Sequence, residues 1–135
     1  MKKLKKKSLC AACLAAVLCA GLALTAFCAS DVKTATLTKG NPSAYGGVID
    51  CREVAFWGEN YDDSNQDMRL VIKKKIAGVW YCDFDETMIP NSAIGSEKHP
   101  KYSSHYDKDK SFEVSVHAKW AGTDAHGYGT MKKYL

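Results

Sequence analysis

Tyr61, Tyr102, Tyr106 and Tyr128 stand among small polar residues, and His126 lies two positions before the last of them. A loop tyrosine joins apolar ring area to a hydrogen-bonding tip at low entropic cost, which suits holding a ligand. Trp120 to Gly129 is the most distinctive run, because its glycines permit tight turning and would present His126 and Tyr128. Asp62, Asp63 and Asp67 flank Ser64, Asn65 and Gln66, a set of hard oxygen ligands that makes calcium the one cofactor suggested. That cluster lacks the alternating spacing of a calcium loop, so a solvated acidic loop is the plainer reading, as it is for Asp83, Asp85 and Glu86. His99, His105, His117 and His126 do not follow zinc-ligand spacing. No nucleophile elbow, zinc-protease helix, phosphate loop or dinucleotide fingerprint occurs, so no catalytic residue is assigned and a non-enzymatic protein is expected.

Of six cysteines, Cys10, Cys13, Cys19 and Cys28 precede residue 31, which leaves Cys51 and Cys82. Two cysteines in an exported domain predict one disulfide, closing a loop of about 32 residues and stabilising the fold by roughly 3.7 kcal/mol. Neither cysteine has a second Cys or a His two to four residues away, which argues against a metal site.

The elements that must position these groups are strands. Phe112, Val114, Val116, Ala118 and Trp120 alternate with Glu113, Ser115, His117 and Lys119, one face apolar and one wet. Met68, Leu70 and Ile72 alternate in the same way, and Ala77-Gly78 offers a tight turn before Val79 to Phe84, where Trp80, Cys82 and Phe84 should share a face. Val48 to Trp57 is rich in β-formers but breaks alternation, which predicts a bulge or an edge, with Gly58 ending it. Ala35 to Leu37 adds a short first strand, Gly46-Gly47 a flexible lead-in, and Tyr128 to Tyr134 a returning strand. Ile89 to Lys110 reads as a long polar loop with one short strand near Tyr102 to Tyr106. Six or seven short strands predict an all-β fold, a small antiparallel β-sandwich of immunoglobulin-like architecture. The usual immunoglobulin disulfide is excluded, because Phe112 to Trp120 contains no Cys.

The chain has 135 residues and a formal net charge of +4. Five of its 19 basic residues are Lys2, Lys3, Lys5, Lys6 and Lys7, and no acid precedes Asp31. The remainder therefore carries 14 basic against 15 acidic groups, a balance that does not suit nucleic acid. The lysines and the 23 uncharged residues from Ser8 to Ser30 read as a secretory signal peptide over residues 1–30, cut after Cys28 or Ser30. The protein is expected to be secreted, with residues 31–135 forming one sandwich domain. Membrane association is expected only if this leader stays uncut as an anchor.

Tyr102-Ser103-Ser104-His105-Tyr106, followed by Lys110-Ser111 and Val114-Ser115-Val116, is similar to the tyrosine and serine stretch of lactococcin-972-type bacteriocins, which are small secreted β-sandwich proteins. The likeness is confined to residues 102–116, and Phe112 stands where that family tends to carry a histidine. It implies, as an alternative, a secreted antimicrobial protein acting on competing bacteria. The residues themselves point first to a secreted bacterial binding domain whose partner is a cell-surface glycan or protein, held by loops at one end of the sandwich.

Overall fold

Strands that alternate apolar and polar residues bury one face only when a second sheet covers it. The computed structural model describes residues 31–120 and 124–135. The expected leader lies outside these residues, as does the tip of the Trp120 to Gly129 run. Among the described residues nine strands form: β1 (Val32–Leu37), β2 (Ser43–Cys51), β3 (Val54–Asn60), β4 (Met68–Ile76), β5 (Val79–Met88), β6 (Ser92–Ile94), β7 (Lys101–Tyr102), β8 (Lys110–Ala118) and β9 (Gly127–Lys133). One sheet has the order β1-β9-β3-β6, with β7 also pairing β3, and the other has β2-β8-β4-β5. Every pairing is antiparallel.

The expected antiparallel sandwich is what forms, and its strand order specifies the kind. The two four-strand paths are those of a jelly roll, in which the chain crosses from sheet to sheet at almost every turn. An immunoglobulin-like connectivity would keep more consecutive strands within one sheet. The register fixes which loops meet. Leu37 and Asn60 both pair with Gly127, and Met68 pairs with Ala118 and Met88, so the β1–β2, β3–β4, β5–β6 and β8–β9 connections share one end. The β2–β3 and β4–β5 turns and residue 135 lie at the other.

Leu37, Phe56, Met68, Leu70, Ile72, Phe112, Val114, Val116 and Met131 are fully buried between the sheets, each worth about 1.5–3 kcal/mol in area removed from water. Phe112, Val114 and Val116 face inward as their alternation predicts, whereas Trp120 lies past the end of β8 and is 66% exposed. Gly58 does not end its strand, and Gly46-Gly47 is a bulged part of β2. Gly127 and Gly129 belong to β9, where they face the core with ordinary negative φ, so their value is closeness rather than turning. A Cβ on Gly129 would overlap Leu70 and stand 2.9 Å from Val116 Cγ1. The Ala77-Gly78 turn does form, with φ of 50° and 82° at its two central residues. The Ile89 to Lys110 stretch holds two short strands, β6 and β7, not one.

The predicted Cys51–Cys82 disulfide is not formed, and both cysteines are free thiols. Cys51 ends β2 and Cys82 lies on β5, three strands away across the same sheet. That separation is about 14 Å at ordinary strand spacing, far beyond the reach of a disulfide. A shift of register between Ile72 and Lys73 gives Asp83 no partner of its own. This bulge turns Asp83 inward beside Phe84 and leaves Cys82 exposed, so Trp80, Cys82 and Phe84 do not share a face. Cys51 is buried, its Sγ donating to Glu53 O at 3.3 Å, and burial pushes its thiol up to about 11.

Two measurements follow from this packing. Gly129→Ala lowers stability by about 1–3 kcal/mol and Leu70→Ala by about 2–5 kcal/mol, while the double variant loses less than their sum by about 1 kcal/mol. Urea unfolding of all four proteins reads this, and strict additivity would show that the two positions do not touch. In residues 31–135 iodoacetamide labels Cys82 alone in the folded state and Cys51 only after unfolding, as intact mass shows; protection of both until a reductant is added would restore the disulfide.

Candidate functional site

The β3–β4 and β8–β9 loops are laced together at the end where four connections meet. Asn60, fully buried, donates from Nδ2 to Gln66 O and to Met88 O, both at 2.9 Å, and so fixes the start of the first loop. Tyr61 N donates to His126 O at 2.9 Å. Ser64 Oγ donates to the same carbonyl at 2.8 Å and accepts from His126 N at 2.7 Å. Asn65 Nδ2 reaches Asp124 Oδ2 at 3.1 Å, and Trp120 N donates to Gln66 Oε1 at 3.1 Å. Backbone groups that would otherwise need water are thereby satisfied within the loops, which holds their side chains in place.

His126 and Asp63 form the polar centre of this surface. His126 Nδ1 lies 3.0 Å from Asp63 Oδ1, and Lys39 Nζ, from the β1–β2 loop, lies 3.3 Å from Asp63 Oδ2. The His126 ring and Lys39 hold the Asp63 carboxyl below the usual carboxylate range. With the carboxylate accepting, Nδ1 donates, and Nε2 is the ring nitrogen that this pair leaves uncommitted. The Tyr61 ring meets the imidazole edge-on at 4.8 Å and tilts against Tyr128 at 6.0 Å. Tyr128 pairs across to Glu59 on β3. Burial raises its phenol, and Glu59, Tyr61 and Glu97 add to the effect, so it stays a neutral donor.

The five recognition candidates are therefore divided. Tyr61, His126 and Tyr128 come together, whereas Tyr102 and Tyr106 lie at the opposite end. Tyr102 is exposed on β7 and meets the Tyr134 ring edge-on at 4.7 Å. Tyr106 is half-buried against the core, 6.1 Å from Phe112, and lies over Lys74, whose Nζ is 5.3 Å from the ring centre. Ser103 accepts from Val54 N at 3.0 Å, so the tyrosine and serine stretch of residues 102–106 serves partly as a wall of the fold.

The calcium candidates do not converge. Asp63 is occupied by His126 and Lys39, Asp67 pairs with Lys119 at 3.0 Å, and Asp62 is exposed. Among the described residues no group of three His, Cys, Asp or Glu side chains is placed to hold a metal ion. Sequence reasoning missed one participant of the loop end and one buried acid of the opposite end. Lys39 carries no local signal, being brought in by the β1–β2 connection. Asp83 reads as surface acid because nothing in sequence marks the bulge that turns it toward Lys74, 2.8 Å away.

No family model matches the sequence, and no curated protein matches it. Among solved structures the chain is similar to PirA, at a TM-score of 0.46 and 10% identity, covering 76% of this chain and 93% of the other. It is also similar to the Yersinia pseudotuberculosis-derived mitogen, with a TM-score of 0.46 and 13% identity over 76% of this chain and 84% of that one. A third is the N-terminal cellulose-binding domain of Cellulomonas fimi β-1,4-glucanase C, with a TM-score of 0.44 and 6% identity over 78% and 80%. At these values the likenesses carry no function to this chain, and the side chains must supply it.

The Lys74–Asp83 pair gives the opposite end a pH signature. Burial pushes the Asp83 carboxyl up, but Lys74 and the Ser104 N–H outweigh it and hold the group below its ordinary range. Its bond to Asp83, then that to Tyr106, raises Lys74 to about 12. A lowered acid contributes stability that is complete above its unfolded value of about 4 and is lost as pH falls through the folded one. The raised lysine contributes fully below its unfolded value and loses that as pH rises through about 12. Asp83→Asn should cost about 2–4 kcal/mol at neutral pH by leaving Lys74 without its counter-charge. In urea unfolding the gap from the parent protein narrows below about pH 4; a gap independent of pH would remove the pair from this account.

Proposed function

We propose that this chain is an exported, non-enzymatic binding domain that holds a cell-surface or extracellular glycan on the loop end of its sandwich. The observation that carries the reading is the Tyr61–His126–Tyr128 cluster, with its imidazole oriented by Asp63. A sugar ring presents an apolar C–H face and a rim of hydroxyls, so a site for it needs aromatic surface beside fixed donors and acceptors. Tyr61 and Tyr128 supply the rings. Asp63, Lys39 and His126 Nε2 supply polar atoms of both kinds within the same loops. The protein alternative to a glycan would use the same aromatics but would need a broader contact of about 800 Å² per partner.

Residues 31–135 applied to a glycan array should give a retained sugar class, whose affinity is then measured by calorimetry. Tyr61→Ala and His126→Ala are each expected to weaken that binding at least ten-fold, about 1.4 kcal/mol, with far-ultraviolet dichroism unchanged, while Cys82→Ser leaves it intact. Retention of no glycan, or variants that bind as the parent does, would remove the loop end as a sugar site. Capture of an envelope protein in a Tyr61-dependent manner would transfer the site to the protein reading.

A further inference from the structure

The end of the sandwich opposite the loop site combines exposed apolar side chains with basic ones. Val79, Tyr81, Tyr102, Tyr134 and Leu135 are 53%, 49%, 48%, 53% and 44% exposed. Around them Arg52, Lys75, Lys101, Lys108, Lys132 and Lys133 lie on the ends of β4, β7 and β9 and on the connections there, and all are exposed. Several acids of this end are engaged within the fold. Glu53 pairs with His105 at 3.0 Å, Asp83 with Lys74 at 2.8 Å, and Asp50 accepts from Ser111 at 2.6 Å. Asp31, Asp107 and Asp109 remain as counter-charges. The loop end has the reverse balance, with Glu59, Asp62, Asp63, Asp67 and Asp124 against Lys39, Arg69 and Lys119. The sandwich is thus polarised along its strands although its summed charge is near zero.

We propose that this basic, tyrosine-bearing end docks on the surface of an anionic lipid bilayer and leaves the loop end facing away from it. Lysines at a bilayer surface gain from anionic headgroups, and tyrosines settle at the headgroup level with the ring in the apolar boundary and the hydroxyl in water. A soluble polyanion would engage the lysines and have no use for the exposed Tyr102–Tyr134 pair. Val32, where the first strand begins, also lies at this end, since it pairs with Lys132. Docking here and the loop-end site are separate surfaces, so either stands without the other.

All nine strands and the whole described core lie within Val32–Leu135, so residues 31–135 can be tested without the leader, which would bind lipid by itself. The measurement is sedimentation with vesicles of phosphatidylcholine alone, with vesicles containing about a third phosphatidylglycerol, and binding to soluble polyphosphate. The expected result is partition onto the anionic vesicles, release by high salt, and little binding to phosphatidylcholine. Lys132→Gln with Lys133→Gln should lower the partition about 25-fold, at about five-fold per lysine, and Tyr102→Ser with Tyr134→Ser should lower it further. Asp62→Asn, at the loop end, should leave it unchanged. No anionic preference, or loss of binding equally from loop-end variants, would overturn the proposal. So would polyphosphate binding of equal strength that the tyrosine variants do not weaken, which would mark a polyanion site instead.

Discussion

The distance between the two sheets is set where glycine backbone faces the core. A Cβ on Gly46 would stand 2.7 Å from the backbone of Thr34 and Ala35 in the facing sheet, and one on Gly58 would stand 3.1 Å from Leu70 Cδ2. At Gly127 and Gly129 the space toward the opposite sheet is filled by Met68, Leu70 and Val116. Large apolar side chains on β4 and β8 therefore pack onto bare backbone of β3 and β9, and β2 backbone packs onto that of β1. This lets a sandwich with few large residues on its central β9 close without a void. It also fixes the heights of the strand ends, because β9 is the register partner of both β1 and β3. The loops that carry Lys39, Tyr61 and His126 meet as they do because those strands stop at Leu37, Asn60 and Gly127.

The same glycines explain where sequence reading succeeds and where it stops. Period-two alternation in Met68 to Ile72 and Phe112 to Val116 needs only local geometry, and both segments are strands with the expected faces inward. Gly127-Tyr128-Gly129 has no local mark separating a turn from a close approach. The deciding partners, Met68 and Leu70, lie about 60 residues earlier in the chain. The bulge at Asp83 is hidden for the same reason, since parity along β5 changes only when β4 is paired with it. The disulfide expectation failed on topology: two cysteines 31 positions apart look adjacent in a meander, but β8 and β4 separate their strands in the sheet. Tyr61, His126 and Tyr128 were legible as types suited to recognition. That they meet while Tyr102 and Tyr106 lie elsewhere follows from strand order, which no residue spacing encodes.

A sandwich whose connections alternate between its two ends sorts its chemistry by that alternation. Turns at the loop end carry aspartates that are held by side chains of neighbouring loops, as Asp63 is by His126 and Lys39. Strand ends at the other carry lysines, and the acid that enters the interior there, Asp83, is matched by Lys74. An unmatched carboxylate turned inward beside Phe84 would be costly, so the bulge and the lysine opposite it form one arrangement. Tyr106 completes it: its ring covers the ammonium, and its hydroxyl lies 3.5 Å from Asp83 Oδ1. A tyrosine that reads in sequence as a recognition residue is held in place by an ion pair it shields.

The two tyrosine groups thus differ in what fixes them, and that difference bears on which is free to act. Tyr106 is held by Lys74, Asp83 and Phe112, and its ring and hydroxyl have partners within the fold. Tyr61 and Tyr128 are held through backbone, by the Tyr61 N–H on the His126 carbonyl and by the β3–β9 ladder, which leaves their rings and hydroxyls less committed. His126 shows the same division within one residue. Its backbone N–H and C=O are taken by Ser64 and Tyr61, its Nδ1 by Asp63, and Nε2 is the ring atom left to face outward chemistry. Fixing a side chain through its main chain and one ring nitrogen costs the site no contact atoms and lowers the ordering entropy a ligand must overcome. That difference is what supports the proposal of a binding site at the loop end rather than around Tyr106.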